Sequence, residues 1–185
     1  MPTTLSTNSI KKKFEKTKNT GFTYLFGDVD FDSCKKVISD LNNFSQNDDY
    51  DQILLTICST GGKLNPAFAL YDHILASPKP VFCLASGWCG SAAVVILQSG
   101  IERLATINTR FKLHSSSYWV DSVPFAELEL LTQNNKFSYD LFVKLTTEKS
   151  GKTIQEFEKE CIPVKFLSIQ EALDFGKNGL VDRIL

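Results

Sequence analysis

Ala85-Ser86-Gly87-Trp88-Cys89-Gly90-Ser91-Ala92-Ala93 follows the apolar run Val81-Phe82-Cys83-Leu84 and leads into a second apolar run that ends at Gly100. The first run predicts a buried strand and the second a buried helix from about Gly90 to Ser99. Small residues crowding a serine at such a junction let the backbone turn sharply. They present the Oγ at a helix N-terminus, where amide donors stabilise negative charge. The chain has two histidines, and one of them, His114, ends another short apolar run, Arg110-Phe111-Lys112-Leu113. If Ser91 and His114 meet in space, the pair makes a serine hydrolase.

The segments on either side give the frame for that junction. Phe22–Phe26 predicts a first strand stopped by Gly27, and Asp30, Asp32 and Ser33 supply helix-start chemistry. Cys34, Val37, Ile38 and Leu41 then fall on one helix face. Ile53–Cys58 is a continuous apolar run, as in strands buried on both faces of a parallel sheet. Ala67, Leu70, Ile74 and Leu75 predict the next helix, ended by Pro78 and Pro80. Strands follow near Leu104–Ile107 and Arg110–Leu113. Three strand–helix alternations predict an α/β fold with right-handed crossovers.

Pro124 opens a segment without a breaker until Gly151, carrying Leu128, Leu131, Leu141, Phe142 and Leu145. A helix of that length is hard to bury within its own domain, so part of it is expected to pack on another subunit. The alternative is two shorter helices broken near Asn134–Asn135. Ser168 predicts the cap of a short helix through Phe175, and Leu180–Ile184 a closing strand. Residues 1–20 are polar and aperiodic and are expected to form a mobile N-terminal arm, leaving 21–185 as a single domain.

Composition narrows the function classes. The formal net charge of -1 and the lack of a basic stripe argue against a nucleic-acid partner. Lys11-Lys12-Lys13 with Lys16 and Lys18 is expected to be a solvated cluster. No run reaches membrane-spanning length and residues 1–20 lack a signal-peptide core, so the cytoplasm is the expected location. Five cysteines without a Cys-x-x-Cys pair are expected to be reduced thiols, mostly buried. Two isolated histidines and scattered cysteines lack metal-ligand spacing, so neither a metal nor another cofactor is expected.

Ser59-Thr60-Gly61-Gly62 directly follows the Ile53–Cys58 run. Paired glycines there allow positive φ and close approach of a bare N–H to a ligand. Peptide hydrolysis passes through an oxyanion that needs preplaced donors, and the N–H groups of Gly62 and Ala92 would form such a pair. Alone, Gly-Gly after a strand is a weak signal, because structural turns far outnumber oxyanion holes. Joined to Ser91 and to a strand ending in His114, it becomes part of a site.

The three pieces, in this order, resemble ClpP, the proteolytic subunit family of the Clp protease, within the ClpP/crotonase fold. The resemblance runs from about Tyr24 to the C-terminus. It covers Leu25–Val29, Ser59–Gly62, Ala69–Asp72, Gly87–Ala93, Asn108–His114, Phe166-Leu167-Ser168 with Glu171-Ala172, and Gly179–Asp182. It implies repeated ββα units in a spiral, with a long projecting helix after the His114 strand. It also implies a serine endopeptidase acting on unfolded peptide segments inside a homo-oligomeric ring, possibly stacked. Ser91 would be the nucleophile, His114 the general base, and Gly62 with Ala92 the oxyanion donors.

The departures from the family pattern bear on activity. The family's third catalytic residue, an aspartate two residues before Phe-Leu-Ser, is here Val164. Glu160 or Glu158 would have to substitute if the loop around Pro163 is rebuilt. Losing the orienting carboxylate costs a triad about 10⁴ in turnover, so a slow dyad is expected. Ser115-Ser116 and Tyr118–Asp121 replace the family's segment after the histidine, which binds substrate peptide. Gly90 stands where an alanine is usual, Ala93 where a glycine is, and Thr60 where a proline is. The N-terminal arm does not resemble the family's axial loop, which weakens docking of an AAA+ unfoldase.

Other side chains carry blander expectations. His73 reads as a surface residue. Lys112 and Lys165 read as exposed lysines rather than members of a Ser–Lys dyad. Trp88 and Trp119 flank the junction as pocket, core or interface. Two further functions share the fold: a catalytically impaired ring or regulatory subunit, and a crotonase-type acyl-CoA enzyme.

Overall fold

The computed structural model of the protein describes residues 19–115 and 123–185. Nearly all of the expected arm, the lysine cluster, Ser116 and Tyr118–Asp121 with Trp119 lie outside these residues. Three strand–helix pairs open the chain. β1 (Thr20–Val29) leads to α1 (Phe31–Gln46), β2 (Gln52–Gly62) to α2 (Leu64–Leu75), and β3 (Val81–Gly90) to α3 (Ala92–Ser99). β4 (Arg103–Ala105) and β5 (Arg110–His114) precede α4 (Phe125–Ser150). Then come α5 (Ile154–Cys161), β6 (Val164–Leu167), α6 (Ile169–Leu173) and β7 (Arg183–Ile184).

A parallel sheet runs in the order β1-β2-β3-β4-β7. β3 changes partner along its length: Cys83–Ala85 pair with β4, whereas Trp88–Gly90 pair with β5. β5 in turn pairs antiparallel with β6. The α/β fold expected from the sequence, with a long helix after the His114 strand, is the one observed.

The apolar run of β2 is continuous because both its faces are covered. Ile53, Leu55 and Ile57 join the main core, while Leu54 joins Leu84, Leu104 and Leu185 on the opposite face. α1 starts as the sequence predicts, with a reciprocal capping box between Asp30 and Ser33, and buries Cys34, Val37 and Leu41. All five cysteines are free thiols, four of them buried, and burial pushes Cys83 up to about 12.

Several boundaries differ from expectation. β1 and β2 run through their glycines to Val29 and Gly62, because neighbouring strands keep pairing after the apolar pattern has ended. The closing strand shrinks to Arg183–Ile184, since Leu180 and Val181 are spent on the main core. α5 and β6 have no counterpart in the predicted elements, although Thr153 and Glu156 form a capping box.

α4 is one unbroken helix of 26 residues, so the alternative break at Asn134–Asn135 is absent. Its C-terminal half buries Phe142, Val143, Thr146 and Thr147, and Phe142 meets Phe157 edge to face. Its N-terminal half leaves Phe125 92% and Phe137 70% exposed, as expected of a helix too long for its own domain. Gly151, left-handed at φ 68°, ends it.

Candidate active site

Ser91 has φ 51° and ψ -125°, and it is the one non-glycine residue with positive φ among the described residues. Such a backbone costs an L-residue about 1–3 kcal/mol, so the surroundings must hold it in place. They do so from two sides. The Ser91 N–H donates to the Lys112 carbonyl of β5 at 2.8 Å, and the Ser91 carbonyl accepts from Val94 N–H at 2.9 Å. α3, buried along its whole length, anchors the far side. Ser91 occupies the N-cap of α3 without a capping bond from its side chain, so the Oγ is not committed to the helix.

The end of β2 packs directly on this turn. A Cβ at Gly61 would lie 2.6 Å from the Ser91 Cβ and 2.7 Å from the Gly90 carbonyl oxygen. A Cβ at Gly62 would lie 2.3 Å from the Val29 carbonyl oxygen. Only glycines admit this approach, and both have positive φ. The Gly61 N–H donates to the buried Ser59 Oγ at 3.0 Å and the Lys63 N–H to the Val29 carbonyl at 2.8 Å. Gly62, between them, is exposed to the cleft beside Ser91. Ala92 is the first residue of α3, where backbone amides have no intrahelical acceptor. Its nitrogen lies 3.1 Å from the position a Gly61 Cβ would take.

His114 is brought in by β5. Gly90 pairs with Lys112 in parallel register, and His114 lies two residues further along the strand on the same side as Lys112. A cleft of about 750 Å³ is lined by Ser91, His114, Gly61 and Gly62 together with residues of β1, α2 and α4. The structure therefore gathers Ser91, His114 and Gly62 around one space, with Ala92 adjoining.

Neither glutamate of α5 expected to stand in for an aspartate at position 164 is a hydrogen-bond partner of His114 among the described residues. Val164 stands directly across the β5–β6 ladder from His114 and is 44% exposed. Glu160 binds Lys152 at 3.0 Å and Lys165 at 3.2 Å, one oxygen each; these bonds, Lys152 first, hold its carboxyl below the usual range. Glu158 lies on the exposed side of α5. The His114 Nδ1 instead meets the Ser115 carbonyl oxygen at 2.5 Å.

Lys112 turns toward the Phe166 ring, and Trp88 packs edge-on against that same ring, so neither lines the cleft. His73 bonds Asn42 on the surface at 2.9 Å. Among the described residues no group of three or more His, Cys, Asp or Glu could hold a metal.

The sequence left part of the cleft unread. Asn134, Asn135 and Ser138 of α4 form its far wall, with Asp28, Asp30 and Phe31 at the end of β1. Their signal was a polar i, i+1, i+4 face on a helix of mixed polarity, which reads as a break or a solvated face until α4 is placed.

The Clp protease family model matches residues 6–185. The chain is 26% identical over 159 residues to the ATP-dependent Clp protease proteolytic subunit 1 of Streptomyces avermitilis, covering 85% of this chain and 71% of that one. It is 24% identical over 174 residues to proteolytic subunit 2 of Corynebacterium glutamicum, covering 93% and 85%. Among solved structures, a point mutant of ClpP1 from Listeria monocytogenes superposes with a TM-score of 0.78 at 22% identity, covering 95% of each chain.

Proposed function

The chain belongs to the Clp protease family, and on that premise we propose that it is a serine endopeptidase that cuts unfolded peptide segments through an acyl-enzyme on Ser91. The observation that carries this reading is the single cleft shared by Ser91, His114 and Gly62, with Ser91 held in a strained turn at the start of α3. In acylation the Ser91 Oγ attacks the scissile carbonyl while the His114 Nε2 takes its proton. The oxyanion meets the N–H groups of Gly62 and Ala92, and the imidazolium returns the proton to the leaving amine. Water then attacks the ester, His114 takes the water's proton, and Ser91 leaves with that proton restored. Engagement of the Gly61 and Lys63 amides elsewhere supports Gly62 as the donor.

The exposed apolar side chains on the first half of α4 support packing against another subunit of a ring. Covalent labelling by a fluorophosphonate probe tests the reading. Labelling at Ser91 is expected, and it is lost in Ser91→Ala and His114→Ala; no labelling of a folded, assembled sample overturns it.

A second reading, a ring subunit without peptidase activity, is favoured by Val164 lying opposite His114. It predicts co-assembly with an active paralogue and no labelling of Ser91.

A further inference from the structure

A general base at His114 needs its proton on Nδ1, so that the Nε2 lone pair faces the serine. Free imidazole does not impose that tautomer; in a triad the acceptor on Nδ1 imposes it. The Val164 side chain has no acceptor to offer, and both Glu160 oxygens are held by lysines.

The structure supplies an acceptor from the main chain. The Ser115 carbonyl oxygen lies 2.5 Å from the His114 Nδ1, and a carbonyl can only accept, so Nδ1 donates. Ser115 itself is tied to the chain beside β6. The Ser115 N–H donates to the Pro163 carbonyl at 3.1 Å, and the Ser115 Oγ approaches the same oxygen at 3.5 Å. The β5–β6 pairing thus continues one residue beyond the His114–Val164 pair. It fixes Ser115 at the point where its carbonyl meets the ring.

We infer that the main-chain carbonyl of Ser115, anchored on Pro163, is the positioning group that takes the place of the triad carboxylate. It selects the Nδ1–H tautomer and fixes the ring plane. It brings no full negative charge to the imidazolium formed in acylation. The inference rests on the assignment of His114 as general base.

The test separates the two claims by reading the tautomer without reading activity. The chain has two histidines, and His73→Gln leaves His114 as the sole imidazole. In the assembled full chain carrying ¹⁵N-histidine, long-range ¹H–¹⁵N correlation above the ordinary imidazole titration range reports which nitrogen is protonated. Protonated Nδ1 is expected; protonated Nε2, or the averaged pattern of free imidazole, overturns the inference.

Ser115→Pro removes the N–H that ties Ser115 to the Pro163 carbonyl but keeps the Ser115 carbonyl. It is expected to lose the Nδ1–H signature and to slow fluorophosphonate labelling by about 10²-fold or more. Ser115→Ala keeps the whole main chain, so it should retain the tautomer and label within about threefold of the parent. If Ser115→Pro fails to assemble, the parent spectrum and the Ser115→Ala pair still decide the matter. Nδ1–H without labelling would overturn the peptidase reading while upholding the carbonyl's hold on the ring. Labelling with protonated Nε2 would do the reverse.

Discussion

Replacing Ser91 by glycine should make the protein more stable than replacing it by alanine, although both changes remove the proposed nucleophile. Ser91 sits at φ 51° and ψ -125°, and alanine keeps the Cβ that makes this conformation costly. A strained non-glycine backbone costs about 1–3 kcal/mol. Glycine relieves it but gives back about 0.5–1 kcal/mol through its larger unfolded-state entropy. About 0–2.5 kcal/mol therefore remains in glycine's favour, with a central value of about 1 kcal/mol. The side chain makes no capping bond, so the comparison isolates the backbone. For a chain of this length the central value amounts to about 2–4 °C in Tm. Differential scanning calorimetry of the two variants, at equal concentration and in the same assembly state, measures it. A glycine variant no more stable than the alanine variant would refute the idea that the fold holds Ser91 in strain to present its Oγ.

Gly61→Ala places a methyl group 2.6 Å from the Ser91 Cβ and against the Gly90 carbonyl, so fluorophosphonate labelling should fall by about 10²-fold or more; near-parental labelling would show that the two turns are not tightly coupled. Arg103, almost fully buried, binds Asp182, the Gln98 Oε1 and the carbonyls of Gly179 and Asn178. Burial pushes the Asp182 carboxyl up, but bonds from the Arg103 side chain and N–H outweigh it and hold the group below the usual range. A depressed carboxylate stabilises above its unfolded pKa, so this contribution should be constant at neutral pH, begin to decline near about pH 4 and disappear only below the lowered folded value. Asp182→Asn should flatten that acid limb in a pH series of denaturant midpoints and cost about 2 kcal/mol at pH 7, less than for a fully buried pair because the carboxylate is partly exposed. Phe137→Ser, at a side chain 70% exposed on α4, should lower the assembly mass in sedimentation velocity while leaving far-ultraviolet dichroism unchanged.

How far the sequence could be read depended on which physical signal each feature leaves. β2 was legible because burial on two faces demands an unbroken apolar run, and Ile53–Ile57 has one. α1 was legible because its capping chemistry and its buried face are both local. The glycine extensions of β1 and β2 were not, since pairing with a neighbour, not composition, carries β1 past the register shift at Gly27 and keeps Gly61–Gly62 in the ladder. The Asn134, Asn135 and Ser138 face was hidden for a related reason: a polar helix face reads as solvated until its opposite wall is known. Val164 marks the sharpest limit. The sequence shows that a valine stands where an aspartate was expected, and the side chains it offered as substitutes were Glu160 and Glu158. The structure places the Ser115 carbonyl on the ring instead, held by a ladder bond to Pro163. Every residue has a carbonyl, so an acceptor of this kind leaves no trace in residue identity. Its position depends on the register between β5 and β6, two strands separated by the whole of α4 and α5. A missing side chain at a catalytic position is therefore evidence of lost chemistry only after the backbone around it has been accounted for.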